Sequence, residues 1–178
     1  MKRNLNVVIY RNGDTIPQVT VSDAWANIKT GAWCYYDNFF IRWVIYNKVY
    51  KWYAVNDPRG LAPLGYHMPT DAEFITLSNC MGGDTIAGKH LKQIGFATWD
   101  NYSGIPNIAA TNMGKFTALP GGERALNGVF RMIGLMADFW SSVQFNNLEL
   151  VTRSRLIEFY KSRFYRSGAN KSTDYSVR

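Results

Sequence analysis

A chain of 178 residues, 47% hydrophobic and 19% charged, is long enough for one sizeable core and too apolar for a disordered protein. The formal net charge is +7, but no run of basic residues exceeds two, so we expect a solvated basic surface and no specific nucleic-acid site. No stretch approaches the roughly 18–20 apolar residues of a membrane span, and no signal peptide is visible.

The first elements are short. Residues 7–10 are predicted to form a strand that ends at the turn signal of residues 11–14, and residues 16–21 are predicted to form a second strand. Residues 24–29 are predicted to form a short helix, and residues 46–55 a strand with inner and outer faces.

The clearest helix begins after Thr70. Thr70 can cap it, and Glu73 three residues later completes a capping box. Phe74, Leu77 and Met81 then form one apolar stripe at helical spacing.

The second half is harder to assign. Residues 84–94 are predicted to form a second short helix. Residues 99–122 are predicted to form a loop, and loops of that length usually serve a function. Residues 148–166 are compatible either with a helix or with a hairpin that turns near Lys161, and periodicity alone does not decide between them.

Several segments have a recognisable order and spacing. They are YRNGD at 10–14, GAWCYY at 31–36, KWYAVNDPRGLAP at 51–63, GYHMPTDAE at 65–73, GKFTALPGG at 114–122, WSS at 140–142 and SVR at 176–178. Together they span nearly the whole chain and resemble the Fibrobacter succinogenes major paralogous domain, a family related to formylglycine-generating enzymes.

The resemblance implies an α+β, C-type-lectin-like fold for residues 1–178 as one domain. Two helices would flank small antiparallel sheets, with long ordered loops between them. The hairpin interpretation of residues 155–166 is then preferred, because the family has strands there. It places Arg155, Ile157 and Phe159 inward, together with Phe164 and Arg166 after the turn.

Within residues 123–175 the chain departs from the family at scattered positions while framework residues such as Trp140 are kept. This pattern resembles the variable proteins of diversity-generating retroelements. It implies an outward ligand-binding set made of Ala125, Leu126, Val129, Arg131, Met132, Leu135, Met136, Asp138, Leu156, Glu158, Tyr160, Arg163 and Tyr165. Eight of them are expected to be solvent-accessible on one face: Ala125, Leu126, Arg131, Met132, Glu158, Tyr160, Arg163 and Tyr165.

We therefore expect a ligand-binding display protein, either a phage receptor-binding protein or a bacterial surface protein, that binds an unknown protein or glycan on a cell surface. A virion or cell-surface location is favoured. One alternative is a fixed adhesion or carbohydrate-binding domain of a bacterial surface protein. A formylglycine-generating type of enzyme ranks last, because its late reactive cysteine pair is missing: no cysteine follows Cys80.

No catalytic residue is expected; His67 is interpreted as structural and His90 as solvent-facing. The two cysteines, Cys34 and Cys80, are compatible with pairing or with free thiols. No metal-ligand spacing and no cofactor motif is present, although a structural calcium ion stays compatible with the sequence. Residues 99–101 and 105–107 only faintly resemble the calcium motifs of sugar-binding lectins.

An apolar segment at residues 37–45 replaces the polar loop usual in the family. If exposed, it forms a hydrophobic patch that needs a partner; if buried, it is core packing or a subunit contact. The sequence therefore also suggests a homo-oligomer formed through Phe39, Phe40 and Trp43.

Overall fold

Two antiparallel sheets and a few short helices make up the chain. The computed structural model describes residues 3–39, 44–95, 97–100, 110–145 and 149–178. The helices are α1 Ser22–Asn27, α2 Trp52–Val55, α3 Asp71–Cys80 and α4 Ala87–Leu91, with a 3₁₀ turn at Tyr36–Asn38. The strands are β1 Trp33–Tyr35, β2 Lys48–Lys51, β3 Glu123–Arg124, β4 Phe130–Arg131, β5 Met136–Gln144, β6 Val151–Glu158, β7 Tyr165–Asn170 and β8 Asp174–Tyr175.

The larger sheet has the strand order β1-β2-β8-β3-β4, and the smaller sheet has the order β5-β6-β7. Every strand pair in both sheets is antiparallel. The last strand, β8, lies between β2 and β3, so the end of the chain joins its first and second halves. This architecture confirms the α+β prediction. Among the described residues, no helix has the length and apolar character needed to cross a membrane.

Helix α3 begins as its sequence predicts. The Thr70 hydroxyl accepts a hydrogen bond from the Glu73 amide at 3.2 Å, and the Glu73 carboxylate accepts one from the Thr70 amide at 2.8 Å. These reciprocal bonds satisfy two amides that the first helical turn leaves unpaired. On the other side of the helix, Phe74 is buried, and Leu77 and Met81 pack against the same core cluster.

Three predictions for the first half need correction. Residues 7–10 form no strand and contribute one isolated bridge, Ile9 to Thr15. Val8 and Ile9 are both exposed, so the segment lacks the alternation of a half-buried strand, although Tyr10 is buried. Residues 16–21 likewise contribute only a parallel bridge from Gln18.

The predicted strand at 46–55 ends at Lys51 and continues as helix α2. The reason is tertiary: the turn buries Trp52 and lets its indole N–H donate to the Ser141 carbonyl at 2.9 Å. The predicted helix at 84–94 is confirmed only in part, because α4 covers residues 87–91.

The hairpin alternative for residues 155–166 is confirmed, and the helix alternative is wrong. Strands β6 and β7 pair antiparallel across a turn at residues 159–164. Arg155 and Ile157 are fully buried and Phe159 is 7% exposed, so all three point inward as predicted. Arg166 differs: its side chain is 44% exposed, because it reaches past the sheet to bind the buried Asp71 carboxylate from outside.

The inward face of the smaller sheet packs on helices α3 and α4. Its core cluster joins Phe139 and Ile157 to Phe74 of α3 and Leu91 of α4. The buried cation Arg155 lies within this apolar layer, and its guanidinium contacts Asp71 at 3.2 Å and Asp84 at 3.3 Å. These ion pairs offset the free-energy cost of desolvating the guanidinium. The side chains of the inward face therefore serve to hold the sheet on the helices.

Candidate ligand-binding face

The opposite side of the smaller sheet carries several of the predicted binding residues. Because side chains alternate along a strand, Met136 and Asp138 of β5 point away from the core formed by their neighbours Ala137 and Phe139. The register pairs Met136 with Glu158 and Asp138 with Leu156. It also pairs Leu156 with Tyr165 of β7. We call Met136, Asp138, Leu156, Glu158 and Tyr165 the outward face.

The thirteen predicted residues fall into three groups by exposure. The exposed ones are Leu126, Val129, Arg131, Met132 and Arg163. The half-buried ones are Leu135, Met136, Leu156, Glu158, Tyr160 and Tyr165. The buried ones are Ala125 and Asp138, each 6% exposed.

The expected exposure of Ala125 is therefore wrong, and Asp138, which was expected to lie outward, is buried as well. Ala125 lies in the tight turn between β3 and β4, where its amide donates to the Val129 carbonyl and its carbonyl accepts from Gly128, both at 2.8 Å. Asp138 points outward but adjoins β8, where the Ser176 amide donates to the Asp138 carbonyl at 3.1 Å. The neighbouring strand covers it, so an outward direction does not ensure contact with solvent.

Glu158 is the centre of a polar group on the outward face. The Tyr160 hydroxyl lies 3.4 Å from the Glu158 carboxylate, and the nearby negative charge raises the pKa of Tyr160. Tyr165 is coupled to the same carboxylate: desolvation first, then its hydrogen bond to Glu158, raises the Tyr165 pKa. The Arg163 guanidinium lies 5.4 Å from the Tyr165 ring centre, a cation–π contact. Two aromatic rings, a carboxylate and a guanidinium thus meet at one end of the sheet.

Beside this group lie two further carboxylates, Asp138 and Glu123. Burial raises the pKa of Asp138 well above its usual range, and the negative charges of Glu123 and Glu158 raise it further. Glu123 forms an ion pair with Arg131 across the β3–β4 hairpin, and its negative charge is close enough to act on Asp138. Among the described residues, no group of three histidine, cysteine or acidic side chains is arranged to hold a metal ion.

Not every predicted residue joins this group. Leu126 and Val129 lie at the tip of the β3–β4 hairpin, which rests on α1: the Ser22 hydroxyl donates to the Gly128 carbonyl at 3.3 Å. Gly128 has a φ of +81°, and a Cβ there would lie 2.7 Å from Ser22, so this close approach requires glycine.

Two buried cations support these segments, and sequence reasoning missed both. The Lys92 ammonium donates to the carbonyls of Phe159 at 2.6 Å and Lys161 at 2.9 Å, which fixes the turn that carries Tyr160 and Arg163. Burial lowers the Lys92 pKa to about 8.

Arg124 fixes the hairpin in the same manner. Its guanidinium donates to Gly128, Val19 and Thr20 carbonyls at 2.7–2.9 Å and stacks on Trp25. No spacing rule marks either cation, because both Lys92 partners and two of the three Arg124 partners, Val19 and Thr20, are backbone carbonyls distant in sequence.

The other candidates of the sequence analysis lie elsewhere. His67 pairs with Glu73 at the start of α3, with Nε2 and Oε1 2.5 Å apart, and half-buried His90 contacts the Thr111 hydroxyl at 2.7 Å. Both cysteines are free thiols: Cys80 is exposed, and Cys34 is buried against Asp174, with burial raising its pKa.

In the apolar segment Phe39 is 55% exposed, whereas Phe40 and Trp43 lie outside the described residues. The calcium-like residues 101 and 105–107 lie outside them as well, so the oligomer and the structural calcium ion stay predictions.

Comparison with known proteins gives one family. No curated protein and no solved structure matches the chain significantly. The family model described as the Fibrobacter succinogenes major domain matches residues 1–178, in agreement with the motifs that run from residue 10 to residue 178. The chain therefore belongs to the Fibrobacter succinogenes major domain family.

Proposed function

We propose that the protein is a ligand-binding display protein with a C-type-lectin-like fold, in which the outward face and the adjoining turns bind a protein or glycan ligand on a cell surface. We further propose that residues 123–175 are diversified by a retroelement, as in phage receptor-binding proteins and some bacterial surface proteins. No catalytic role is assigned to any residue.

The observation that carries the proposal is the difference in burial between the two sides of one sheet. Along β6, Arg155 and Ile157 are fully buried, whereas the alternate residues Leu156 and Glu158 are half-buried and point to the other side. A side chain on the outward side can therefore change identity while the contacts that hold the sheet on α3 and α4 are kept. A diversified binding surface requires this independence.

The turn at 159–164 is rigid, which favours binding. Lys92 anchors two of its carbonyls, and Phe164 packs fully buried against Phe74 with ring centres 5.8 Å apart. Gly88 of α4 lies so close that a Cβ there would be 2.3 Å from the Arg163 carbonyl oxygen. A face that is ordered before it meets its ligand loses less conformational entropy on binding.

The residue types are those of interface centres. Tyr160, Tyr165 and Arg163 contact one another or a shared carboxylate, and tyrosine and arginine are enriched among residues that dominate binding energy. Met132, 41% exposed, adds an adaptable apolar side chain at the adjoining hairpin.

The proposal is tested by displaying two libraries of the protein. One randomises the interacting residues Glu158, Tyr160, Arg163 and Tyr165 together with Arg131 of the adjoining hairpin. The matched library randomises five exposed apolar positions elsewhere, namely Val8, Ile9, Val21, Leu64 and Ile94. Selection against several unrelated purified proteins is expected to yield folded binders from the first library and none from the second. Equal yields from both libraries would contradict the assignment of the face.

Gene context separates diversification from a fixed binder. A neighbouring reverse-transcriptase gene with a near-identical template repeat of the segment that encodes 123–175 is the expected finding. Its absence, combined with binders from the first library, would favour a fixed adhesion or carbohydrate-binding protein of the same fold.

A further inference from the structure

A cavity with a volume of about 270 Å³ is lined by two arginines, Arg3 and Arg178. Among the other described residues that line it, none is acidic, and none belongs to the thirteen predicted binding residues. The cavity is therefore not part of the outward face. Its volume is just under the roughly 300–1,000 Å³ usual for small-molecule pockets, so its size and charge suit a small anion.

The two arginines are far apart in sequence, and backbone pairing brings their segments together. The Leu5 amide donates to the Val177 carbonyl at 2.8 Å, and Nη1 of Arg178 donates to the Asn4 side-chain oxygen at 3.1 Å. The buried Arg178 guanidinium also lies over the Phe116 ring, 4.9 Å from its centre. These contacts position the guanidinium before a ligand arrives. Burial lowers the Arg178 pKa to about 10, and a bound anion would offset that desolvation.

Two neutral side chains add hydrogen-bond donors to the cavity. Gln93 and Thr117 lie side by side, because the Gln93 amide donates to the Ala118 carbonyl at 3.1 Å. The Gln93 side-chain oxygen accepts from the Thr98 hydroxyl at 2.6 Å, and the Thr117 hydroxyl oxygen accepts from the Asn112 side-chain amide at 2.9 Å. Within the described residues, the Gln93 NH₂ group and the Thr117 O–H proton are left to donate to a ligand.

Thr117 is held in an unfavourable backbone conformation. Its φ is +54°, in the left-handed region that β-branched residues rarely adopt. The Asn112 side-chain oxygen accepts from the Thr117 amide at 2.7 Å, so Asn112 binds both the backbone and the hydroxyl of Thr117. Strained residues persist where their surroundings fix them, and they are common at ligand sites. The Thr117 hydroxyl is thereby fixed in position at the cavity.

Charge and donor chemistry favour a phosphate monoester over other anions. Two guanidinium groups carry two positive charges, and a phosphate monoester balances them with about −1.5 to −2 charge at pH 7. A carboxylate or a sulfate ester supplies a single negative charge. Guanidinium groups also match phosphate oxygens in a bidentate geometry. The organic group of the ester would contact the apolar wall of Val44, Ile45 and Leu119.

We propose that this cavity binds a phosphate monoester with a small apolar organic group. The phosphate would contact the guanidinium groups of Arg3 and Arg178, with Gln93 and Thr117 donating to its oxygens. This binding function is additional to the proposed display function and does not depend on it.

The test uses phenyl phosphate and the whole chain at pH 7.5 in a buffer without phosphate. The probe is titrated into the ¹⁵N-labelled protein, and phenyl sulfate, which has a similar shape and one negative charge, is titrated separately. We expect saturable amide shifts at Gln93, Thr117 and Leu119, with a dissociation constant on the order of millimolar for phenyl phosphate. Phenyl sulfate and inorganic phosphate are each expected to bind at least about fivefold more weakly.

Two variants locate the binding. Arg3→Gln removes an exposed guanidinium, so it should leave the fold intact and weaken phenyl phosphate by about tenfold. Arg178→Lys keeps the buried charge, removes the bidentate geometry and should weaken the probe by about fivefold. If Arg178→Lys does not fold, Arg3→Gln decides. The control Lys29→Gln also removes one positive charge, at an exposed site outside the cavity lining, and should leave the affinity unchanged.

Equal affinity for phenyl phosphate and phenyl sulfate, shifts confined to residues outside the cavity, or unchanged affinity in Arg3→Gln would each overturn the assignment. An equal loss in Lys29→Gln would also overturn it, because only the net charge would then matter. If inorganic phosphate binds as tightly as phenyl phosphate, the apolar wall makes no contact and the ester is the wrong ligand.

Discussion

The two sides of the smaller sheet are built from the same three strands and have opposite roles. The inward side holds Phe139, Arg155 and Ile157, all fully buried against α3 and α4. The outward side holds half-buried Met136, Leu156, Glu158 and Tyr165 around polar contacts. The comparison shows how one sheet can separate folding from recognition: alternate residues of a strand belong to different surfaces.

Burial also changes along the outward side. Met136 at the start of β5 is half-buried, Asp138 is 6% exposed, and Trp140 is fully buried under Tyr175, with ring centres 4.4 Å apart. The indole of Trp140 also donates to the Tyr50 carbonyl at 2.6 Å. The larger sheet therefore covers one end of the outward side, and only the other end is available to a ligand.

The largest expected effect comes from the inward cation. Arg155→Ala should lower the free energy of unfolding by about 3–5 kcal/mol, because it leaves a cavity in the core and removes the buried one of the two guanidinium partners of Asp71. The control Arg163→Ala removes an exposed guanidinium and should change it by no more than about 0.5 kcal/mol. Urea denaturation measures both; equal losses would contradict the separation of the two sides.

A sharper comparison uses neighbours on one strand. Ile157→Ala removes a fully buried side chain and should cost about 3 kcal/mol of unfolding free energy. Leu156→Ala removes an isomeric side chain that is half-buried on the other side and should cost about 1 kcal/mol. A larger loss for Leu156→Ala than for Ile157→Ala, again in urea, would show that the outward side carries the core.

The burial of Lys92 predicts that the free energy of unfolding depends on pH. Its pKa is about 8 in the folded protein and about 10.4 in an unfolded chain, so between these values the unfolded chain binds more protons. Stability due to Lys92 should therefore be flat below pH 8 and rise above it, by on the order of 2 kcal/mol at pH 10.

The measurement is the difference in unfolding free energy between the wild type and Lys92→Met from pH 7 to 10. Other titrating groups, including the tyrosines, cancel in that difference. Parallel curves for the two proteins would mean that the Lys92 ammonium is not desolvated as the structure indicates.

Part of the fold could be predicted from sequence because the signals are local. The capping box of Thr70 and Glu73 lies within four residues, and the start of α3 is as predicted. The turn from β2 into α2 could not be predicted, because a contact between Trp52 and Ser141, 89 residues apart, decides it. Family resemblance, rather than periodicity, selected the hairpin of β6 and β7.

The candidate site shows the same limit. Alternation correctly predicts that Leu156 and Glu158 lie opposite Arg155 and Ile157. It fails for the exposure of Asp138, since the covering strand β8 comes 36 residues later in the chain. Lys92 is missed for the same reason: its carbonyl partners at Phe159 and Lys161 are 67 and 69 residues away.

The most direct test replaces by serine, in one protein, the five predicted positions that the structure shows exposed: Leu126, Val129, Arg131, Met132 and Arg163. If these side chains serve a ligand and not the fold, the free energy of unfolding in urea should fall by less than about 2.5 kcal/mol, at about 0.5 kcal/mol for each site. That loss is smaller than the one expected for Ile157→Ala alone. A five-site variant that is less stable than Ile157→Ala would contradict the account.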